Sequence, residues 1–118
     1  VEMAAIPGAY YYLGLCNLIK GNLEQATSDF QKVIDFKSDA VQPHILLAVI
    51  HLKKGRLDDA LKSAQKAVEL DQENAFAHNV LASVYMAARK NDLAMEEFDK
   101  AIELNPKIID AHLKKGAF

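Results

Sequence analysis

Three histidines, His44, His78 and His112, stand 34 residues apart, and histidine at regular spacing first suggests a metal site. A shared zinc ion would need every ring nitrogen within about 2.1 Å of it. Equal spacing at this interval instead puts one histidine at the same packing position of successive units, about a helix diameter apart, so amphipathic packing is expected. His44 and His51 lie two turns apart on one helix, too far to share an ion without a ligand at the intervening four-residue step. The acid pairs Asp58-Asp59 and Glu96-Glu97 could in principle do acid–base work. Both fall on the polar sides of helical patterns, which predicts solvated carboxylates. Cys16 is the sole cysteine, so an internal disulfide is ruled out. Its place inside an apolar run predicts a buried, unreactive thiol. A glycine-rich phosphate loop, a nucleophile motif and a CxxC pair are all missing. The sequence therefore offers no catalytic residue, no metal ligands and no cofactor site, and a non-enzymatic chain is expected.

The elements that carry these residues are those of a folded, water-soluble domain. Of 118 residues, 51% are hydrophobic and 25% charged, with a formal net charge of -2. So balanced a charge, without a basic stripe of interleaved aromatics, argues against nucleic acid and against an anionic membrane surface. The longest apolar run, Ala9 to Ile19, is shorter than the roughly 20 residues a membrane-spanning helix needs, so no membrane insertion is expected. A start at Val1 without an initiator methionine, and a stop at Phe118 without a helix-ending signal, read as a segment of something longer. Compartment is left open between cytoplasm and bacterial periplasm.

A period of 34 residues dominates the chain. The stretches "KGNLEQATSDFQKVIDF" from Lys20, "KGRLDDALKSAQKAVEL" from Lys54 and "ARKNDLAMEEFDKAIEL" from Ala88 superpose without a gap. Gly21, Gly55 and Arg89 share one register, as do Ala26, Ala60 and Ala94, and Leu13, Leu47 and Leu81. Each unit contains two helical patterns. First helices are predicted near Pro7–Lys20, Val41–Lys54 and Ala75–Ala88, and second helices near Glu24–Phe36, Asp58–Leu70 and Asp92–Leu104. In the middle unit Leu57, Ala60, Leu61, Ala64, Ala67 and Val68 form an apolar stripe at three- and four-residue steps, opposite the solvated Asp58, Asp59, Lys62, Lys66 and Glu69. Gly21 and Gly55 supply permissive backbone between helices, and Pro43 and Pro106 suit helix edges.

In this register the chain resembles the tetratricopeptide repeat family. The first unit carries Tyr10, Leu13, Gly14, Gly21, Ala26 and Phe30. The second carries Leu47, Ala48, Gly55, Ala60 and Ala67. The third carries Leu81, Ala82, Tyr85, Ala94, Phe98, Ala101 and Pro106. The resemblance implies an all-α superhelical solenoid of three helix-turn-helix repeats, 7–40, 41–74 and 75–108, with a partial fourth at 109–118, in a single domain. Small residues such as Ala26, Ala60 and Ala94 allow close helix crossings. Leu13, Tyr10, Phe30, Leu47, Leu81 and Phe98 are expected to fill the space beside them, with Tyr10, Leu13, Gly14 and Asn17 of the first helix turned toward neighbouring helices.

The resemblance also implies a concave groove lined by first helices. Groove-facing residues are then Tyr11, Tyr12, Leu15, Leu18 and Ile19; Gln42, Ile45, Leu46, Val49, Leu52 and Lys53; and Phe76, Asn79, Val80, Ser83, Met86 and Ala87. Such a groove is strongly apolar and aromatic at both ends. Relatives that hold an acidic C-terminal tail use a clamp of lysine, asparagine and arginine, where this chain has Tyr11, Leu15, Leu46, Phe76 and Val80. The expectation is a protein-interaction scaffold that binds a peptide or amphipathic helix. The alternatives are self-assembly into a homo-oligomer, or a regulatory segment of a larger protein such as a bacterial secretion or surface-polysaccharide component.

Overall fold

A computed structural model describes residues 7–105, and these form six helices: α1 (Pro7–Lys20), α2 (Leu23–Phe36), α3 (Val41–Lys53), α4 (Leu57–Leu70), α5 (Ala75–Ala87) and α6 (Asn91–Leu104). Each predicted helix is present, with ends within a residue of those expected. Pro106, His112, Gly116 and the partial fourth repeat lie outside the described residues.

Helices pair as α1 with α2, α3 with α4 and α5 with α6, and each pair stacks on the next through α2 on α3 and α4 on α5. The array measures 50 × 26 × 22 Å. Within a pair the turn is set by one backbone device used three times. The N–H groups of Gly21 and Asn22 donate to Leu18 and Asn17 carbonyls, those of Gly55 and Arg56 to Leu52 and His51, and those of Arg89 and Lys90 to Met86 and Tyr85. This double bond pattern closes a helix through a left-handed residue, and Gly21, Gly55 and Arg89 have φ of 85°, 75° and 64°. Arg89 is thus a non-glycine residue in a conformation that glycine adopts without strain.

Alanine makes the close crossings: Ala26, Ala48, Ala60, Ala64, Ala67, Ala82, Ala94 and Ala101 are fully buried. Phe30 and Phe98 are the largest fully enclosed side chains. Gly14 meets Phe30 so closely that a Cβ there would stand 2.7 Å from the ring. Tyr11 packs edge-on against the same ring, centroids 5.9 Å apart.

Two expectations for α1 are corrected by this packing. Leu13 is 51% exposed, whereas its equivalents Leu47 and Leu81 are each 5% exposed. Cys16 is exposed, whereas Ile50 and Val84, at the same register, are enclosed. The reason is shared: α3 and α5 have this face covered by the second helix of the preceding pair, and no described helix precedes α1.

Candidate binding face

The first helices α1, α3 and α5 lie side by side. Leu15 and Leu18 of α1 join Leu46, Leu47 and Ile50 of α3 in one cluster, and α3 touches α5 through the central core. Of the residues expected on the face, Tyr12, Ile19 and Phe76 are exposed at 67%, 84% and 55%. Tyr11, Leu15, Leu46, Val49 and Met86 are half-buried. Ile45 and Val80 are buried members of the central core, where α3 meets α5, and offer little surface of their own. Asn79 is half-buried, with its Oδ1 enclosed and without a hydrogen-bond partner among the described residues. Gln42, Lys53 and Ala87 are exposed at the rim, and Leu18, Leu52 and Ser83 are half-buried.

Helix ends position these side chains. The Asn74 side chain caps α5 by accepting from the Phe76 and Ala77 N–H groups at 3.0 and 3.1 Å, which fixes the turn that carries Phe76. At the other side of the face, Tyr12 stands edge-on to Tyr11, centroids 5.7 Å apart. Tyr11 is anchored on Phe30, so the aromatic pair is set by α2 behind it. The positions expected to face the groove are thus mostly apolar, with Lys53 the charged residue among them.

Buried polar groups tie the helices together behind that face. Asn17 finds the hydrogen bond it needs, donating to Asp29 at 2.8 Å, and Gln25 donates to the other oxygen of that buried carboxylate at 3.2 Å. Lys54, just past the end of α3 and with its side chain largely buried, reaches back to Glu24 on α2 at 2.7 Å. Its hydrogen bond and charge hold the Glu24 carboxyl below the usual carboxylate range. Burial holds the His51 ring below its ordinary 6.5, partly offset by Asp59, and its Nδ1 is enclosed without a partner among the described residues.

Of the spaced histidines, His44 and His78 lie within the described residues and are not alike. His44 is half-buried with Nε2 3.2 Å from the Ser38 carbonyl oxygen. His78 is buried, with Nε2 2.7 Å from the Gln72 carbonyl oxygen and Nδ1 2.6 Å from Glu97 Oε1. Glu97 is therefore no solvated acid, which corrects the reading of the Glu96-Glu97 pair. Position alone could have revealed it: Glu97 falls three residues after Ala94 and four before Ala101, on the buried stripe of α6. Asp29 falls between Ala26 and Val33 on α2 in the same way. Among the described residues no helix is long and apolar enough to cross a membrane.

A family model described as tetratricopeptide repeat matches residues 45–107, and a second with the same description matches 7–39. Among solved structures, the chain is similar to the first tetratricopeptide repeat domain of Spaghetti (RPAP3) bound to the HSP90 peptide SRMEEVD. That match has a TM-score of 0.86 at 17% identity and covers 92% of this chain and 86% of that one. It is also similar to MamA, with a TM-score of 0.80 at 27% identity over 94% of this chain and 61% of that one. A third match is YrrB, described as a tetratricopeptide repeat protein with an unusual peptide-binding site, with a TM-score of 0.81 at 24% identity over 92% and 57%. The chain thus spans less than two thirds of MamA and of YrrB. No curated protein matches the sequence.

Proposed function

The chain belongs to the tetratricopeptide repeat family, a family of protein-interaction scaffolds, and from that premise we propose that its α1–α3–α5 face is a groove that binds an apolar peptide or amphipathic helix. The observation that carries this reading is the exposure of Tyr12, Ile19 and Phe76 at register positions expected to face the groove; Leu13, Phe36, Leu93 and Leu104 are also exposed, at positions outside that register. Leaving such side chains in water is unfavourable, and a contiguous exposed apolar surface marks a contact site. A helix laid along the face would meet Ile19 and Tyr12 at one end and Phe76 at the other.

The same face argues against an acidic tail. SRMEEVD, bound by the RPAP3 domain, carries three carboxylate side chains. Here the corresponding clamp positions are Tyr11, Leu15, Leu46, Phe76 and Val80, which supply no cationic or amide donor for a carboxylate and only the neutral phenolic O–H of Tyr11. Peptides of 12 to 15 residues selected by display on this domain should therefore be apolar, and SRMEEVD should not bind. Ile19→Asp and Phe76→Asp should each weaken selected peptides about tenfold or more while leaving helicity and melting temperature nearly unchanged. Peptides that bind both variants as tightly as the wild type would place recognition elsewhere.

A second reading, self-association through the open edge of α1, is favoured by the exposure of Leu13 where Leu47 and Leu81 are covered. Sedimentation equilibrium over a wide concentration range decides it. Association weakened by Leu13→Glu supports the reading, and a monomer throughout removes it.

A further inference from the structure

His78 sits with both ring nitrogens against acceptors. Nε2 is 2.7 Å from the backbone oxygen of Gln72, in the loop between α4 and α5, and Nδ1 is 2.6 Å from Glu97 Oε1 on α6. A carbonyl oxygen only accepts, and so does an ionised carboxylate. The neutral imidazole has one N–H and can satisfy one of them. Both short contacts are made only when the ring and the Glu97 carboxyl together hold two protons, one in each contact. We propose that this contact is a proton-dependent clip, fastening α5 to α6 and to the loop that joins the second repeat to the third.

The surroundings fit a clip that loosens when the proton leaves. His78 is buried and the Glu97 side chain is 13% exposed, so water does little to relieve two lone pairs facing each other at that distance. From α6 the charged neighbours are Glu97 itself, Lys100 at 3.4 Å from Glu97 Oε2, and Glu103, which lines the same cleft. From α4 the cleft receives Val68, and the loop contributes Gln72. Asp71 in that loop is turned to its own backbone, accepting from the Glu73 N–H at 3.2 Å. Among the described residues Lys100 is thus the nearby cation, and it sits on the far oxygen of Glu97. When one of the two protons leaves, one ring lone pair is left against an acceptor, the Glu97 carboxylate or the Gln72 carbonyl oxygen according to the tautomer, and that side of the clip opens. Its stabilisation is present at low pH and is lost as pH rises.

The molecule supplies its own control. His44 holds the same position one repeat earlier, with Nε2 on the Ser38 carbonyl oxygen, but the residue equivalent to Glu97 is Ser63, which lines the cleft beside His44. A hydroxyl donates or accepts as needed, so that site carries no proton requirement. The clip extends beyond the peptide-binding reading and does not depend on it, since its tests involve no ligand.

Glu97→Gln is the discriminating variant, because an amide can donate to a neutral Nδ1 and uncouple the contact from pH. Hydrogen exchange of α5 and α6 amides is compared between the full wild-type chain and E97Q at each of several pH values from 5.5 to 8.5, which cancels the intrinsic pH dependence of exchange. The ratio of wild-type to E97Q opening should rise about tenfold across this range. A ratio that stays flat overturns the proposal. Should E97Q fail to fold, nitrogen chemical shifts of the wild-type His78 ring decide. A His78 transition that coincides with faster α5 and α6 exchange supports the clip, while a ring that titrates with no change in exchange, or never titrates, overturns it.

Discussion

The first and third repeats share one register, yet their first helices live in different surroundings. Of the thirteen residues of α5, seven are buried: Ala75, Ala77, His78, Val80, Leu81, Ala82 and Val84. In α1 the buried position among residues 9–20 is Gly14. Composition alone does not account for so wide a gap, since α1 is also mostly apolar. A first helix in this array has three contact sides: its own second helix, the next first helix, and the second helix of the preceding pair. The last of these is what α1 lacks among the described residues, and Leu13 and Cys16 mark the vacant side. Stability in a stacked array is mostly a property of the junctions between units.

The sharpest way to break the comparison is to remove the same leucine from both repeats. Leu81→Ala should destabilise by about 2–5 kcal/mol, the usual cost of emptying a packed leucine site. Leu13→Ala should cost about 0.5 kcal/mol or less, as an exposed substitution does. Chemical denaturation of both variants checks this, and equal losses would mean that the α1 edge is covered in solution. A smaller effect comes from making the first repeat more like the third. Gly14→Ala copies Ala82, yet its Cβ would meet the enclosed Phe30 ring, against which Tyr11 also packs. Overpacking of this kind should cost about 1–3 kcal/mol, read from the same denaturation curves. The smallest effect runs the other way. Arg89→Gly copies Gly21 and Gly55, relieves a residue held at φ 64°, and should raise stability by about 1 kcal/mol. A lower denaturation midpoint for that variant would show that the arginine side chain is held by something worth more than the backbone strain.

Much of the fold was legible because the repeat states it three times. Each helix boundary is marked by a recurring turn residue and a recurring start of an apolar stripe, so an ambiguous signal in one unit is resolved by the others. Arg89 illustrates this: alone it does not announce a left-handed turn, but its alignment with Gly21 and Gly55 does. What was not legible depends on neighbours rather than on register. Leu13 and Cys16 match buried positions of later repeats, and only the presence or absence of a preceding helix decides whether they are covered. Adjacency to Glu96 does not reveal the burial of Glu97, whereas its helical spacing to Ala94 and Ala101 places it inside. On the binding face, helical phase selected Tyr12, Ile19 and Phe76, which are open. The same phase also selected Ile45 and Val80, which are enclosed, because it cannot resolve how closely α3 approaches α5.

The uncovered thiol of Cys16 gives the α1 edge a reporter. It is the sole cysteine of the chain, and it lies on the face that a further helix would occupy. A fluorophore or spin label attached there records one surface and no other, without any engineered residue. Its alkylation rate, compared between short and extended versions of the chain or between dilute and concentrated samples, converts the coverage of a single helix face into a measurable time constant.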